Sequence, residues 1–504
     1  MSCVRPRHLE GSLALRLRFL LDTNILIPLQ DSMVVLQPSL TNFVRLCSAH
    51  GYQLLYHPAS AADIRRDSDE ARRERTLARL AQYTQLQAGP VCPWNSPETS
   101  VNDACDNEIL YALENDAAHV LVTEDQGVHR KARARGLSSR VYFIQTADDW
   151  LRRLHEPDEV RLPHIEDVEI HTLTHQLAGP FFDSIRAGYD GFDDWFRRKA
   201  MEGRRAWVYR EDAHQTIAAI CIYAVQADQA VTDDGEVLVG RALKLCTFKV
   251  GETVRGRKLG ELFLRAAFKY ATNHQCESIF LHANDVQQSQ LITLIEDFGF
   301  RHEGLYQGDA VYVKAHPVAP PPLLMEPFHY VRLYYPHYMG GDDVHKFIVP
   351  IQPQYHDILF PDYQRPGHAL PDNHPQRHVS NAIKLAYLCH TPSKQPRPGD
   401  IVMFYRSRDM RALTTLGVVE RYEWSEAADD IAQIVSRRTV YSDEQIEEMA
   451  KTETKVMLFR LICHFEPPLE YADLKRSRIV RGPIQSITKI SDESFSRIIR
   501  AAER

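Results

Sequence analysis

The chain has 504 residues, more than one hydrophobic core usually organises, so two to four domains are expected. Its formal charge of -7 is small for that length, which excludes recognition of nucleic acid through overall charge and leaves only local basic sites. Nine cysteines without CxxC pairs exclude a disulfide framework and a structural zinc site and fit a reducing cytoplasm. No run is long and oily enough to span a bilayer, and the first apolar run carries Arg16, Arg18 and Asp22, which a signal sequence would not. A cytoplasmic, membrane-free protein is expected.

Residues 1 to about 155 alternate helical patterns (DNEILYALENDA) with short apolar runs (HVLVTED, RVYFIQT), the rhythm of an α/β domain with a parallel sheet. The first run, FLLDTNILIPL, places Asp22 with Thr23 and Asn24 inside an oily stretch, where an unpaired charge is costly. Acids recur where such a fold brings strand ends together: Asp63, Asp103, Asp106 and Asp125. A hard divalent cation, Mg²⁺ or Mn²⁺, would relieve their repulsion, whereas singly each Asp reads as a helix cap or a strand end. The ordered set LLDTN, DNEIL and TED resembles the PIN-domain nucleases over residues 17–150. That resemblance implies metal-dependent RNA cleavage, with Asp22, Asp106 and Asp125 as ligands. Asp63 would stand where the family more often has Glu, Asp103 would compete with Asp106, and Thr123 would orient the cluster.

After the charged connector RRLHEPDEVRLPHIED, an amphipathic segment (FFDSIRAGYDGFDDWFRRKAMEG) precedes strand-like runs at AWVYRED, TIAAICIYAV and ALKLCTFKV. In KLCTFKVGETVRGRKLGELFLRAAFKYA a strand is followed by a basic glycine loop and a helix start, an anion site made of free N–H groups and the helix dipole. With the SIFLHAND strand and LITLIEDFGF this resembles the GNAT acetyltransferases over residues 165–315. The resemblance implies acetyl-CoA as cofactor. Arg255, Gly256, Arg257, Lys258, Leu259, Gly260 and Glu261 would lie about the pyrophosphate, Phe248, Lys249 and Val250 along the pantetheine arm, and Asn284 at the far side. Lys258 stands where the family prefers glycine, and Ile295 where many members have a tyrosine acid. Tyr306 is another donor, and Glu211 or Glu252 a base, with nothing in the spacing to select either.

Residues 316–344, with HPVAPPPLLMEP, read as a stiff proline-rich linker with few packing contacts. Residues 345–504 offer strands at KFIVPI, DIVMFY, LGVVERY and KVMLFRLICHF, a helix at YSDEQIEEMAK, and a long Pro/His-rich loop over residues 362–380. The stretch QPRPGDIVMFYRSRDMRALTTLGVVERYEW resembles PUA-like domains of the ASCH and EVE kind, which implies a small β-barrel that binds RNA. Tyr405, Arg406, Arg408 and Arg411, with Arg437, Arg438, Arg478 and Arg481, are its candidate nucleic-acid contacts, or else solvated surface arginines.

The chain is thus read as a multidomain α/β and α+β protein. Together the resemblances imply an RNA-directed enzyme joining a ribonuclease to an N-acetyltransferase, with tRNA as the preferred RNA, a toxin or stress role, and an antitoxin or regulatory protein as partner. The competing reading is an acetyltransferase of protein or small-molecule amines whose flanking domains only bind.

Overall fold

The computed structural model of the chain describes residues 15–30, 38–66, 68–80, 82–87, 89–96, 99–156, 164–211, 215–251, 254, 258–284, 288–363, 377–379, 383–438 and 441–502. The first unit is a five-stranded parallel sheet of β1 (Arg18–Leu21), β2 (Gln53–Tyr56), β3 (Thr84–Gln85), β4 (Val120–Val122) and β5 (Val141–Tyr142), in the order β3-β2-β1-β4-β5. Its helices are α1 (Thr23–Gln30), α2 (Pro38–Ala49), α3 (Pro58–Arg65), α4 (Glu70–Leu80), α5 (Val101–Glu114), α6 (Gln126–Ala134) and α7 (Ile144–His155). β1 reads as an uninterrupted apolar run because both sheet faces are covered, Phe19 and Leu21 on one side and Leu20 on the other. The strand order reverses between β1 and β4, which puts the crevice of an open α/β sheet beyond their carboxyl ends.

The second unit holds a larger mixed sheet of β6 (His164–Glu169), β7 (Arg205–Glu211), β8 (Thr216–Ala230), β9 (Val237–Val250), β10 (Ser278–Ala283), β11 (Arg301–Tyr306) and β12 (Asp309–Ala315). All its neighbours are antiparallel except β9 and β10. Helices α8 (Asp183–Gly188) and α9 (Phe192–Met201) cover one face, and α10 (Leu259–Asn273) and α11 (Ser289–Asp297) the other. The apolar stripe of α10 explains its placement: Leu262, Phe263, Ala267 and Ala271 all enter the core against Leu243, Leu245 and Ile279.

The proline-rich segment differs from its expected role as a bare linker. After irregular chain at residues 316–326, Pro327 begins helix α12 (Pro327–Tyr334), where its fixed φ suits the first turn. Tyr330, Val331 and Tyr335 are buried, and the Tyr335 hydroxyl donates to the Leu461 carbonyl at 2.7 Å. The linker is part of the core because aromatic residues, invisible to a count of prolines, follow them.

The third unit contains β13 (Lys346–Ile351), α13 (Pro353–Leu359), β14 (Arg377–Val379), β15 (Lys384–Cys389), β16 (Ile401–Arg406) and β17 (Ala412–Ser425). Then come α14 (Ala428–Val435), α15 (Asp443–Ala450), β18 (Thr454–Glu470), α16 (Tyr471–Arg476), β19 (Thr488–Ile490) and α17 (Asp492–Ala502). Six strands form a sheet in the order β15-β18-β17-β16-β13-β19, and among the described residues no pairing closes its two edges into the expected barrel. Helix α15 begins as expected at a serine: Ser442 and Gln445 form a reciprocal capping box. Within the expected loop over residues 362–380, Arg377–Val379 instead crosses to the second unit and pairs antiparallel with β6, while residues 364–376 lie outside the described residues.

The three units share cores and charges. Ala428, Ile431 and Ile446 of the third unit pack into the same cluster as Phe43 and Trp150 of the first. At the junction of the second and third units Asp297 at the end of α11 takes Arg460 Nη2 at 3.0 Å and the ammonium of Lys384, with Arg332 Nε at 3.6 Å. Beside it Arg438 donates to Glu420 at 2.6 Å. Arg460 is fully buried, so its charge persists there only because these carboxylates meet it. Among the described residues no helix is long and apolar enough to cross a membrane.

Candidate functional site

β9 and β10 run parallel and paired only from Ala242↔Ser278 to Leu245↔Leu281. β9 then stays with β8 as far as Val250, while β10 stays with β12 as far as Ala283, so the two strands part and open a wedge at Cys246 and His282. A strand edge left without a neighbour is a ready partner for an extended ligand. The chain beyond β9 turns into α10, whose first N–H groups and dipole favour an anion.

Lys258, the cap of α10, has φ 59°, a left-handed conformation that costs a non-glycine residue about 1 kcal/mol. The position where the sequence departs from glycine is therefore one where the backbone asks for it. Burial, then the nearby Arg153 of α7 and Arg438, push the Lys258 ammonium down to about 7, with Glu261 and Asp149 opposing. A Cβ built on Gly260 would lie 2.8 Å from Leu294 Cδ2 and 3.8 Å from Phe248 Cε1, so glycine lets α10 start close against α11. The Glu261 carboxylate faces away to the third unit, accepting from the Lys384 backbone N–H. Arg255, Gly256, Arg257 and Glu252 lie outside the described residues.

Phe248 packs edge-on to Phe263 with ring centroids 5.6 Å apart, Lys249 donates to Ser184 Oγ at 2.7 Å, and Val250 pairs with Ala219. These three, with Lys258, Gly260 and Asn284, line one cavity of about 2640 Å³. Glu211 lines it too, and Ile295 is core. His282, which sequence reasoning missed, also lines it. Its Nε2 is buried without a hydrogen-bond partner, and its ring lies against Tyr306 with centroids 4.8 Å apart. Burial and the adjacent Lys244 push its pKa down to about 4, with Asp309 and Asp233 opposing, so it is neutral at pH 7. The signal was present in SIFLHAND, where one titratable residue interrupts an apolar strand next to its end. Across the mouth, Tyr189 of the α8–α9 turn donates to Asp309 at 2.6 Å and joins that turn to the β11–β12 hairpin.

In the first unit, Asp22 and Asp125 do follow β1 and β4 at the switch point. The Asp22 carboxylate accepts from Thr123 Oγ1 at 2.6 Å, Asn24 Nδ2 at 2.7 Å and the Thr23 N–H at 2.7 Å. Burial raises its pKa to about 6, helped by the charges of Asp106 and Asp125, while these hydrogen bonds oppose. Asp125 caps α6 through the Gly127 and Val128 amides. Lys131 of α6 bonds Asp103 at 2.6 Å and Asp106 at 2.8 Å, and Asp63 pairs with Arg66 at 2.7 Å on its own helix. The charges of Asp106 and Asp125 thus reach Asp22, and those of Asp63, Asp22 and Asp106 reach Cys105, while Asp63 has Arg66 and both Asp103 and Asp106 have Lys131 as bonded partners. Among the described residues, no three of these carboxylates bring oxygens within 4.8 Å of one another, and a lysine already neutralises two of them. The acids therefore do not form a preformed divalent-metal cage.

The third-unit candidates separate. Arg406 is fully buried between Asp357, Asp409 and His356, and Tyr405 is buried as well, so these two are structural rather than contacts for phosphate or base. Arg406 belongs inside because two carboxylates and an imidazole satisfy its planar fork. Arg408 and Arg411 are exposed, and Arg411 stands over the Tyr471 ring at 5.1 Å.

Residues 170–300 match the acetyltransferase (GNAT) family. No curated protein matches the chain. Among solved structures, the PaiA N-acetyltransferase of Thermoplasma acidophilum in complex with coenzyme A is 16% identical, with 30% of this chain and 99% of that chain covered and a TM-score of 0.23. A GNAT-family acetyltransferase from Staphylococcus aureus Mu50 is 18% identical, covering 30% and 98%, with a TM-score of 0.24. The ASCH protein of Zymomonas mobilis is 12% identical, covering 31% and 94%, with a TM-score of 0.24. The stretch that contains the parting strands, the α10 start and His282 is a GNAT acetyltransferase domain, at residues 170–300.

Proposed function

We propose that the chain transfers an acetyl group from acetyl-CoA to an amine. The observation that carries this reading is the parting of β9 and β10 beside the N-terminus of α10, within one cavity. The residues fit the cofactor: the wedge leaves one edge of β9 open past Leu245, and the first residues of α10 line the same cavity. When bound, the thioester supplies the activated acetyl group. Phe248 and Val250 would line its arm, and the α10 amides with Lys258 would hold its phosphates.

An unprotonated amine nitrogen would attack the acetyl carbon, the C–N bond forming as the C–S bond breaks and its electron pair leaves on sulfur. A thiolate of this kind is a fair leaving group, which suits a site whose usual tyrosine position is the buried Ile295. The attacking nitrogen becomes strongly acidic as the new bond forms, so a weak neutral base suffices to take its proton. His282 Nε2, neutral and unpartnered at the apex of the wedge, is fitted to that task. Replacing His282 by Gln is expected to lower kcat about 100-fold with acetyl-CoA affinity retained. Divided by the fraction of acceptor amine that is unprotonated at each pH, the wild-type rate should stay level down to about pH 5 and fall below it as His282 gains its proton near 4. An unchanged rate in the variant removes His282 from the reaction, and failure of the wild type to bind acetyl-CoA in calorimetry removes the whole reading.

The drawing together of Asp22, Asp106 and Asp125 at the sheet switch point supports a second reading, PIN-type cleavage of RNA by the first unit. With Lys131 already bonded to Asp106, we derive no metal-dependent step from them. Incubated with total cellular RNA and Mn²⁺ or Mg²⁺, the chain should cut RNA, and Asp22→Asn should abolish cutting while acetyl-CoA binding stays the same. Uncut RNA with either ion discards this reading and leaves the acetyl-transfer reading intact.

A further inference from the structure

We propose that the amine accepted at this site carries an anionic group, a carboxylate or a phosphate, which Lys244 binds. The inference rests on the acetyl-transfer reading above and assigns its acceptor a chemical class.

Leu243 and Leu245 of β9 face the core beneath α10, so the alternation of the strand sends Lys244 to the opposite face, into the cavity lined by His282 and Cys246. Lys244 lies opposite Phe280 in the parallel pair, two residues from His282 along β10 on the same face. Its ammonium stands 5.5 Å from the Phe280 ring centroid and 5.8 Å from that of Tyr306. Rings of this kind attract a cation by about 0.5–1 kcal/mol but do not neutralise it.

Among the described residues no carboxylate pairs with Lys244. Burial lowers its pKa, and the groups whose charge acts on it are Cys246 and Arg204. Arg204 adds a second positive charge there, its Nη1 3.5 Å from Cys246 Sγ and its Nη2 3.6 Å from Glu202. Asp233 and Asp309 act on His282. Lys131, Lys346, Lys384 and Lys455 each meet a carboxylate, and fully buried Lys314 is met by the Leu333 carbonyl, whereas Lys244 faces an open cavity. A half-buried ammonium without a counter-charge is costly, and the open cavity in front of it is where one can be brought. The unpartnered Nε2 of His282 shares that face, so an acceptor whose amine reaches His282 would carry its anion to Lys244.

The test uses the full chain saturated with CoA and measures by calorimetry the binding of β-alanine against β-alaninamide, and of phosphoethanolamine against ethanolamine. Each anionic amine is expected to bind at least ten times more tightly than its uncharged counterpart. The carboxylate and phosphate arms show which anion is preferred. Lys244→Met should erase the preference and Lys244→Arg should keep it, with melting temperatures recorded for both so that a misfolded variant is recognised and the wild-type panel decides instead. Equal binding within both pairs, including no binding of any probe, overturns the anionic acceptor, as does a preference that survives in a folded Lys244→Met. Failure to bind CoA in the first place overturns the underlying transfer reading as well and is seen before any amine is added.

Discussion

Replacing Gly260 by glutamate is expected to weaken acetyl-CoA binding at least 100-fold, about 2.7 kcal/mol. Two effects combine. The side chain has to displace the end of Leu294, which lies 2.8 Å from where its Cβ would stand, and then pass the Phe248 ring. Its carboxylate then adds a negative charge to the turn whose amides would face the phosphates, where an anion is repelled. Gly260→Ala separates the two: it meets only the mobile end of Leu294 and should lose a few-fold. Calorimetry with CoA reads both variants, and wild-type affinity in Gly260→Glu would place the phosphates elsewhere.

Asp297→Ala should destabilise the protein by roughly 3–5 kcal/mol, the usual cost of leaving buried charges without their partner. Arg460 and Lys384 would lose the carboxylate that meets both, with no route to water for Arg460. A lowered urea midpoint measures the loss, and an unchanged midpoint would mean that Glu420 alone holds Arg460. The same junction predicts acid sensitivity. Although burial works the other way, Lys384 and Arg460 hold Asp297 far below the ordinary carboxylate range, and Arg438 and Lys384 hold Glu420 down at about 2. Folded pKa values below the unfolded ones contribute stability that is complete above about pH 4.5 and lost as the pH falls toward 2. Asp297→Asn should flatten that part of the stability curve.

The strands and helices were legible because each is a local pattern: TIAAICIYAV and KVMLFRLICHF lie wholly within strands of the structure, and AWVYRED does so as far as Glu211. The start of α10 was legible as well, down to the odd lysine whose left-handed backbone accounts for the family preference at position 258. Other features depend on residues far apart in sequence. Arg406 looked like one of a run of surface cations until Asp357, 49 residues earlier, was seen to meet it. Lys131 was not singled out as a neutraliser of Asp103 and Asp106, since it sits in a basic helix 25 residues beyond Asp106. His282 needed the partner strand: only when β9 leaves β10 does one imidazole among apolar neighbours acquire a cavity to face.

The crossing of Arg377–Val379 onto β6 means that the acetyltransferase sheet is finished by chain that comes after it. A fragment cut after residue 344 would keep every residue assigned to acetyl transfer yet present β6 as a bare hydrogen-bonding margin, an invitation to self-association. It would also strip Glu261 of the backbone donor supplied by Lys384. Insolubility of such a fragment would then report a missing seam rather than a failed active site, and soluble versions should extend well beyond Val379.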